Sequence, residues 1–292
     1  MNLDVSRRIE EIRHDHQHGA GWLSREAISV MGLMAKRSEA NSTSCFRRDL
    51  EMIALMLEES RPSMAPIRNI VSRWMSQVSK KTECEENLQL LRDFALSLTN
   101  QLLRESVEAM TKVVQIASRV ISDADTVMTC SYSSTVCQVF QAVRDRGKSL
   151  SVITAASLGM SGEVYGERTV KELEALNIPV ALVEDNAIAH HLPKANMVIV
   201  GADTILRDGS VINGTPSLQV ALAAKMAGIP FYSVGESFKV SCSKTEVMEP
   251  RLEPDFDKVP PNLITGIATE AGIMTPQEVF ERVCHQRWES IQ

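Results

Sequence analysis

The chain reads as an α/β protein: a helical N-terminal domain over residues 1–122, then a Rossmann-like parallel-sheet α/β domain over residues 123–292. Three observations predict this. Apolar residues recur at helical spacing through the first part. After Asp123, short apolar runs alternate with helical segments, the rhythm of a parallel sheet with crossover helices. The composition is 44% hydrophobic but only 4% aromatic, a balance suited to helix packing and a buried sheet.

In the first domain, Glu26 to Met34 and Asp49 to Leu57 carry the helical period. Ser60-Arg61-Pro62-Ser63 interrupts it, because proline restricts itself and the residue before it. A third helix is expected over Pro66 to Val78 and a long one over Glu85 to Val120. In the second domain, strands are expected at Thr126–Thr129, Ser151–Thr154, Pro179–Val183, Met197–Val200 and Pro230–Val234. Helices are expected at Ser133–Arg146, Tyr165–Leu176, Ile188–Leu192 and Leu218–Ala227. Arg207-Asp208-Gly209 marks a tight turn between two short β-like runs. The long Ser241–Pro261 loop and the apolar Ala268–Met274 tail point to self-assembly as a dimer or larger.

The net charge of −6 gives no basic surface for nucleic acid, so no direct nucleic-acid binding is expected. No run approaches the roughly 20 apolar residues that span a bilayer, and residues 1–19 lack a secretory pattern. The six cysteines, Cys45, Cys84, Cys130, Cys137, Cys242 and Cys284, form no C-x-x-C pair, so reduced thiols in a cytoplasmic protein are expected. His14, His16 and His18 sit at alternate positions, but side chains two apart on a helix diverge and no fourth ligand is evident. No metal and no cofactor are expected.

Two segments carry the candidate chemistry. Gly201-Ala202-Asp203 follows the Met197–Val200 strand, where open α/β sheets place ligands. Asp203 either faces such a ligand or caps a turn. Cys130-Ser131-Tyr132-Ser133-Ser134 closes the Thr126–Thr129 strand. Its backbone N–H groups and hydroxyls can cradle a phosphate at the helix start, or Ser133 or Ser134 can simply cap that helix. Lys239 is placed either at the pocket mouth or in solvent.

The string from Gly201-Ala202-Asp203 through Asp208-Gly209-Ser210-Val211-Ile212-Asn213 to Glu236-Ser237-Phe238-Lys239 resembles the initiation factor 2B alpha/beta/delta subunit family. So does the segment from Phe256 through Pro260-Pro261-Asn262-Leu263 to Gly272. That family shares its fold with ribose-1,5-bisphosphate isomerase and methylthioribose-1-phosphate isomerase. The resemblance implies either a translation initiation factor-like protein that binds a phosphorylated sugar or nucleotide and works through assembly, or an aldose–ketose isomerase.

In the isomerase branch the aspartate that matches Asp203 is the general acid/base, a role for a partly desolvated carboxylate. The isomerases' cysteine falls on Ser131, and the residue before it on Cys130. Serine is too weak an acid to inherit a thiol's proton-shuttling role. A shift that substitutes Cys130 puts it on the wrong face of the strand unless the backbone bulges. The enzymes' first arginine is replaced by His18, ahead of a matching Gly19-Ala20 turn, while Arg61-Pro62 matches the second arginine. Asn213-Gly214 keeps the enzymes' asparagine but loses the lysine after it. Asp185-Asn186 matches a pair near the sugar. The resemblance thus implies an interdomain pocket: Asp203, Cys130 and Ser131 at its chemical centre, and Arg61, His18, Gly19, Ala20, Ser133, Ser134, Asp185, Asn186, Asn213 and Gly214 binding the ligand. The losses at Ser131, at His18 and of the lysine favour binding over catalysis.

Overall fold

A computed structural model describes residues 3–241 and 252–289, with side chains placed as far as residue 283. Cys242 and the rest of residues 242–251 in the Ser241–Pro261 loop therefore lie outside the described residues, as does the Cys284 side chain. The chain divides into two compact units, Met1–Glu108 and Ala109–Gln292. The division falls inside a long helix, ahead of Asp123, where the sequence pattern changes.

The first unit holds α1 (Leu3–Arg13), α2 (Ala20–Arg37), α3 (Thr43–Glu58), α4 (Ala65–Thr82) and the first part of α5 (Leu88–Ala117). Helix α1 lies in the region expected to be helical, though it was not singled out as an element. Val5, Ile9 and Ile12 fall on one face among charges and are fully or nearly buried, and three such positions are enough to dock it on α2. Helix α3 starts at Ser42, whose side chain accepts the Cys45 N–H. Pro66 sits in the first turn of α4, where its missing N–H costs nothing. Phe46, Leu50, Leu57, Ile67 and Trp74 form the centre of this unit. The Trp74 indole N–H donates to Thr99 Oγ1 at 2.9 Å, so the largest side chain is buried without an orphaned donor.

The second unit is built on a seven-stranded sheet in the order β10-β9-β7-β4-β1-β2-β3. These strands are β1 (Asp125–Thr129), β2 (Leu150–Ala155), β3 (Val180–Val183), β4 (Met197–Val200), β7 (Phe231–Val234), β9 (Gly266–Thr269) and β10 (Gly272–Met274). All pairings are parallel except that of β10 with β9. Strand residues alternate between two cores. Val127 and Ile199 pack with α5 and with α6 (Ser134–Asp145) on one face. Met128 and Val198 pack on the other face with α8 (Ile188–His191), α9 (Ser217–Ala227) and α10 (Pro276–Glu289). Both faces are thus covered, which is why these strands read as continuous apolar runs. The order reverses between β1 and β4, so the crevice at their carboxyl ends is the switch point of the sheet.

A second, three-stranded sheet joins β5 (Thr204–Ile205), β6 (Val211–Gly214) and β8 (Phe256–Val259), all antiparallel. The Arg207-Asp208-Gly209 turn links β5 to β6, with Gly209 at φ 82°, a conformation that favours glycine. The apolar Ala268–Met274 segment is an edge hairpin of the large sheet, with Ala268 and Met274 buried in the unit's own core. Internal packing therefore explains its apolar character without a partner. Among the described residues no helix is long and apolar enough to cross a membrane.

Candidate functional site

The crevice at the switch point is formed by close approach of two strand ends. Strand β1 runs through Cys130 into Ser131, which adopts φ 59°, a left-handed conformation uncommon for serine. The Ser131 N–H donates to Ser157 Oγ at 2.7 Å, and its carbonyl accepts Thr169 Oγ1 at 3.1 Å. Ser133 then caps α6 by accepting the Val136 N–H. Ser134 opens the helix.

Two glycines let β4 and β6 come up against this turn. A Cβ on Gly214 would lie 2.3 Å from Ser131 Oγ. A Cβ on Gly201 would lie 2.8 Å from Ser133 Oγ and 3.3 Å from Asn213 Oδ1. Ser131, Ser133, Gly201, Asn213 and Gly214 therefore share one small volume. Asp203 is half-buried two residues beyond Gly201, and its N–H donates to the Ile212 carbonyl at 2.8 Å, next to Asn213.

Cys130 points elsewhere. It is buried, and its Sγ lies 3.3 Å from Ser217 Oγ at the start of α9. Ser217 in turn accepts Asn213 Nδ2 at 2.9 Å and donates to the Gly214 carbonyl at 2.6 Å. Burial pushes the Cys130 thiol up from 9.0 to about 12, opposed by the Ser217 hydrogen bond and reinforced by Asp257 and Asp185. The group is a neutral thiol at physiological pH, not a thiolate. Because the unfolded thiol ionises near pH 9 and the folded one does not, this residue lowers stability as pH rises past 9. We expect iodoacetamide at pH 8 to label exposed Cys84 and leave Cys130 unlabelled in the folded protein, read by peptide mass spectrometry. Rapid native labelling of Cys130 would contradict this placement.

Asp185 is half-buried, and its two carboxylate oxygens accept the N–H groups of Ser157 (2.7 Å) and Leu158 (3.0 Å). Asn186 beside it is exposed. Sequence reading missed Ser157, Thr169 and Ser217, which hold the crevice together, and also Asp257. Burial pushes the Asp257 carboxyl up, partly countered by the Leu218 N–H that it accepts at 3.0 Å. Lys239 is not in solvent. It is buried, 3.2 Å from the buried Glu236.

In the helical unit, Asp15 gathers several of the named residues. Its carboxylate accepts the backbone N–H groups of Gln17 and His18, each at 2.7 Å, and lies 2.8 Å from His18 Nδ1. Burial raises this carboxyl, but the His18 and Gln17 hydrogen bonds outweigh it and the net shift is downward. The buried Arg61 donates from Nη1 to the Asp15 carbonyl. His18 stacks on Trp22 at 3.8 Å, and Gly19 and Ala20 open α2 with no side-chain cap. Asp15 therefore draws Arg61 and His18 to the start of α2, and no sequence signal singled it out. His14 is exposed beside Glu10, and no group of three His, Cys, Asp or Glu among the described residues is placed to hold a metal.

Fold and crevice together define a doubly wound α/β protein with a crevice at the sheet's switch point, preceded in sequence by a helical unit. The model of the Initiation factor 2 subunit family matches residues 16–276, and the chain belongs to that family. It is 30% identical to the putative translation initiation factor eIF-2B subunit 2-like protein of Pyrococcus abyssi, covering 92% of this chain and 95% of that one. It is 27% identical to the ribose 1,5-bisphosphate isomerase of Thermococcus kodakarensis, covering 95% of this chain and 93% of that one. The crystal structure of the Pyrococcus horikoshii OT3 translation initiation factor eIF-2B superposes with a TM-score of 0.82 at 26% identity, over 95% of this chain and 99% of that one.

Proposed function

We propose that this protein binds a phosphorylated sugar or nucleotide in the crevice formed by Ser131, Ser133, Asp203 and Asn213, and works through homo-oligomeric assembly rather than turnover. The observation that carries this reading is the pairing of Ser131 with Cys130. The position facing Gly214 is a hydroxyl, and the adjacent thiol is buried against Ser217 with its ionisation pushed to about 12. Neither group moves a proton readily at neutral pH. The crevice keeps what binding needs: the turn ahead of α6, the Asn213 amide, and glycines that let backbone approach a ligand. The family resemblance adds Arg61 of the helical unit as a phosphate-binding residue. A role in translation belongs to it through the relatives named eIF-2B.

The second reading is an aldose–ketose isomerase acting on a phosphorylated sugar. It is favoured by likeness to a ribose 1,5-bisphosphate isomerase along 95% of the chain. Asp203 then carries the acid/base step, taking a proton from one sugar carbon and returning it to its neighbour while a second proton passes from the hydroxyl that becomes the ketone to the sugar oxygen that gives up its carbon bond order.

Thermal shift against ribose 1,5-bisphosphate, methylthioribose 1-phosphate and nucleoside monophosphates tests the binding claim common to both readings. A ligand at 100 times its dissociation constant stabilises by about 2.7 kcal/mol, and no shift with any of them would refute both. For assembly, light scattering is expected to give at least twice the 32.3 kDa of one chain. A concentration-independent mass of one chain contradicts it.

A further inference from the structure

We infer that Asp185 and Ser157 are positioning residues: they set the conformation of the Ser131 turn rather than contact the ligand. The inference deepens the proposed binding role, and its binding arm rests on that reading. Three links carry it. First, both oxygens of the Asp185 carboxylate are engaged by consecutive backbone N–H groups, those of Ser157 and Leu158. Such charge-assisted bonds are stronger than neutral ones. Second, Ser157 sits at φ 55°, a conformation unfavourable for a non-glycine residue that persists only when its surroundings hold it. Asp185 supplies that hold. Third, the fully buried Ser157 hydroxyl donates to the Ala155 carbonyl at 3.3 Å and accepts the Ser131 N–H at 2.7 Å. Ser131 is itself left-handed at φ 59°, and Thr169 fixes the carbonyl of the same residue. Two strained serines are thus coupled in series, with the carboxylate at the end of β3 steering the turn at the end of β1.

The alternative role for Asp185, direct contact with a sugar hydroxyl, makes a different prediction. Hydrogen–deuterium exchange of peptides spanning 127–133 separates the two, with ribose 1,5-bisphosphate titrated in parallel. Asp185→Asn turns an amide nitrogen toward one of the two donors. Ser157→Gly keeps the left-handed backbone at no steric cost and removes only the hydroxyl. Both variants are expected to speed exchange at Ser131 by about tenfold or more while β4 peptides exchange as in the parent. Both should weaken binding by a similar factor, and the double variant should be no worse than either single one. Glu184→Gln, an exposed neighbour, should change neither readout. The inference is overturned if Asp185→Asn weakens binding with Ser131 exchange unchanged, or if Ser157→Gly leaves that exchange at the parent rate. If the parent does not bind this probe, the exchange arm alone decides the positioning role, and the functional reading stands or falls separately on the thermal-shift panel.

Discussion

Gly214→Val is expected to cost about 1–3 kcal/mol of stability and to abolish ligand-induced stabilisation. A Cβ at this position would stand 2.3 Å from Ser131 Oγ, a clash, and 3.0 Å from Ser131 Cβ, a tight contact that turning the hydroxyl away does not relieve. The Ser131 turn would have to move. It is held at its N–H by Ser157 and at its carbonyl by Thr169, so the displacement breaks bonds rather than flexing a loop. Strand β6 cannot retreat easily, because it is paired with β5 on one side and β8 on the other. Urea unfolding with and without ligand reads both effects. Stability and binding equal to the parent would mean that Ser131 and Gly214 do not meet.

Arg61→Ala is expected to weaken binding of a phosphorylated ligand by about 1.5–3 kcal/mol, the range for hydrogen bonds to charged groups. Arginine brings a permanent charge and a planar fork of donors suited to phosphate. The substitution should also loosen the helical unit, because the buried guanidinium donates to the Asp15 carbonyl, and Asp15 in turn holds His18. His18→Ala should cost less, since an imidazole lacks arginine's permanent charge and planar fork of donors. Calorimetry on both variants, with melting curves to correct for folding, gives the comparison. Parent-like binding by Arg61→Ala together with loss in His18→Ala would place the phosphate elsewhere.

What the sequence revealed follows from how local each signal is. Met197–Val200 reads as a strand at its observed bounds because a strand covered on both faces is a continuous apolar run with clear ends. The helix beginning at Ser134 is announced by its cap. Strand β8 was not read as one: Phe256–Val259 carries Asp257 and Lys258 at the edge of the small sheet, and only Val259 is fully buried. In the crevice, Ser131 and Asn213 were expected together as residues following strands at one sheet edge; they do lie near each other, but Asn213 sits within β6 of the small antiparallel sheet rather than at the edge of the large one. The left-handed backbone of Ser131 and Ser157 leaves no trace in residue type, since serine is not selected for positive φ as glycine is. Nor could spacing show that the Asp185 oxygens face backbone N–H groups, because that depends on the pairing of β2 with β3. The ambiguity at Cys130 was likewise geometric, and the buried contact with Ser217 decides where its thiol points.

The proposed function is that the crevice binds a phosphorylated sugar or nucleotide without converting it, and its sugar arm is the one that separates it from the isomerase reading. Phosphorus-31 NMR of ribose 1,5-bisphosphate incubated with the protein tests this most directly. The expected result is saturable broadening or displacement of the two substrate resonances, with no new resonance over hours. Unperturbed substrate lines at saturating protein would contradict binding, and growth of a ketose bisphosphate resonance would contradict the absence of turnover and assign the isomerase reaction instead.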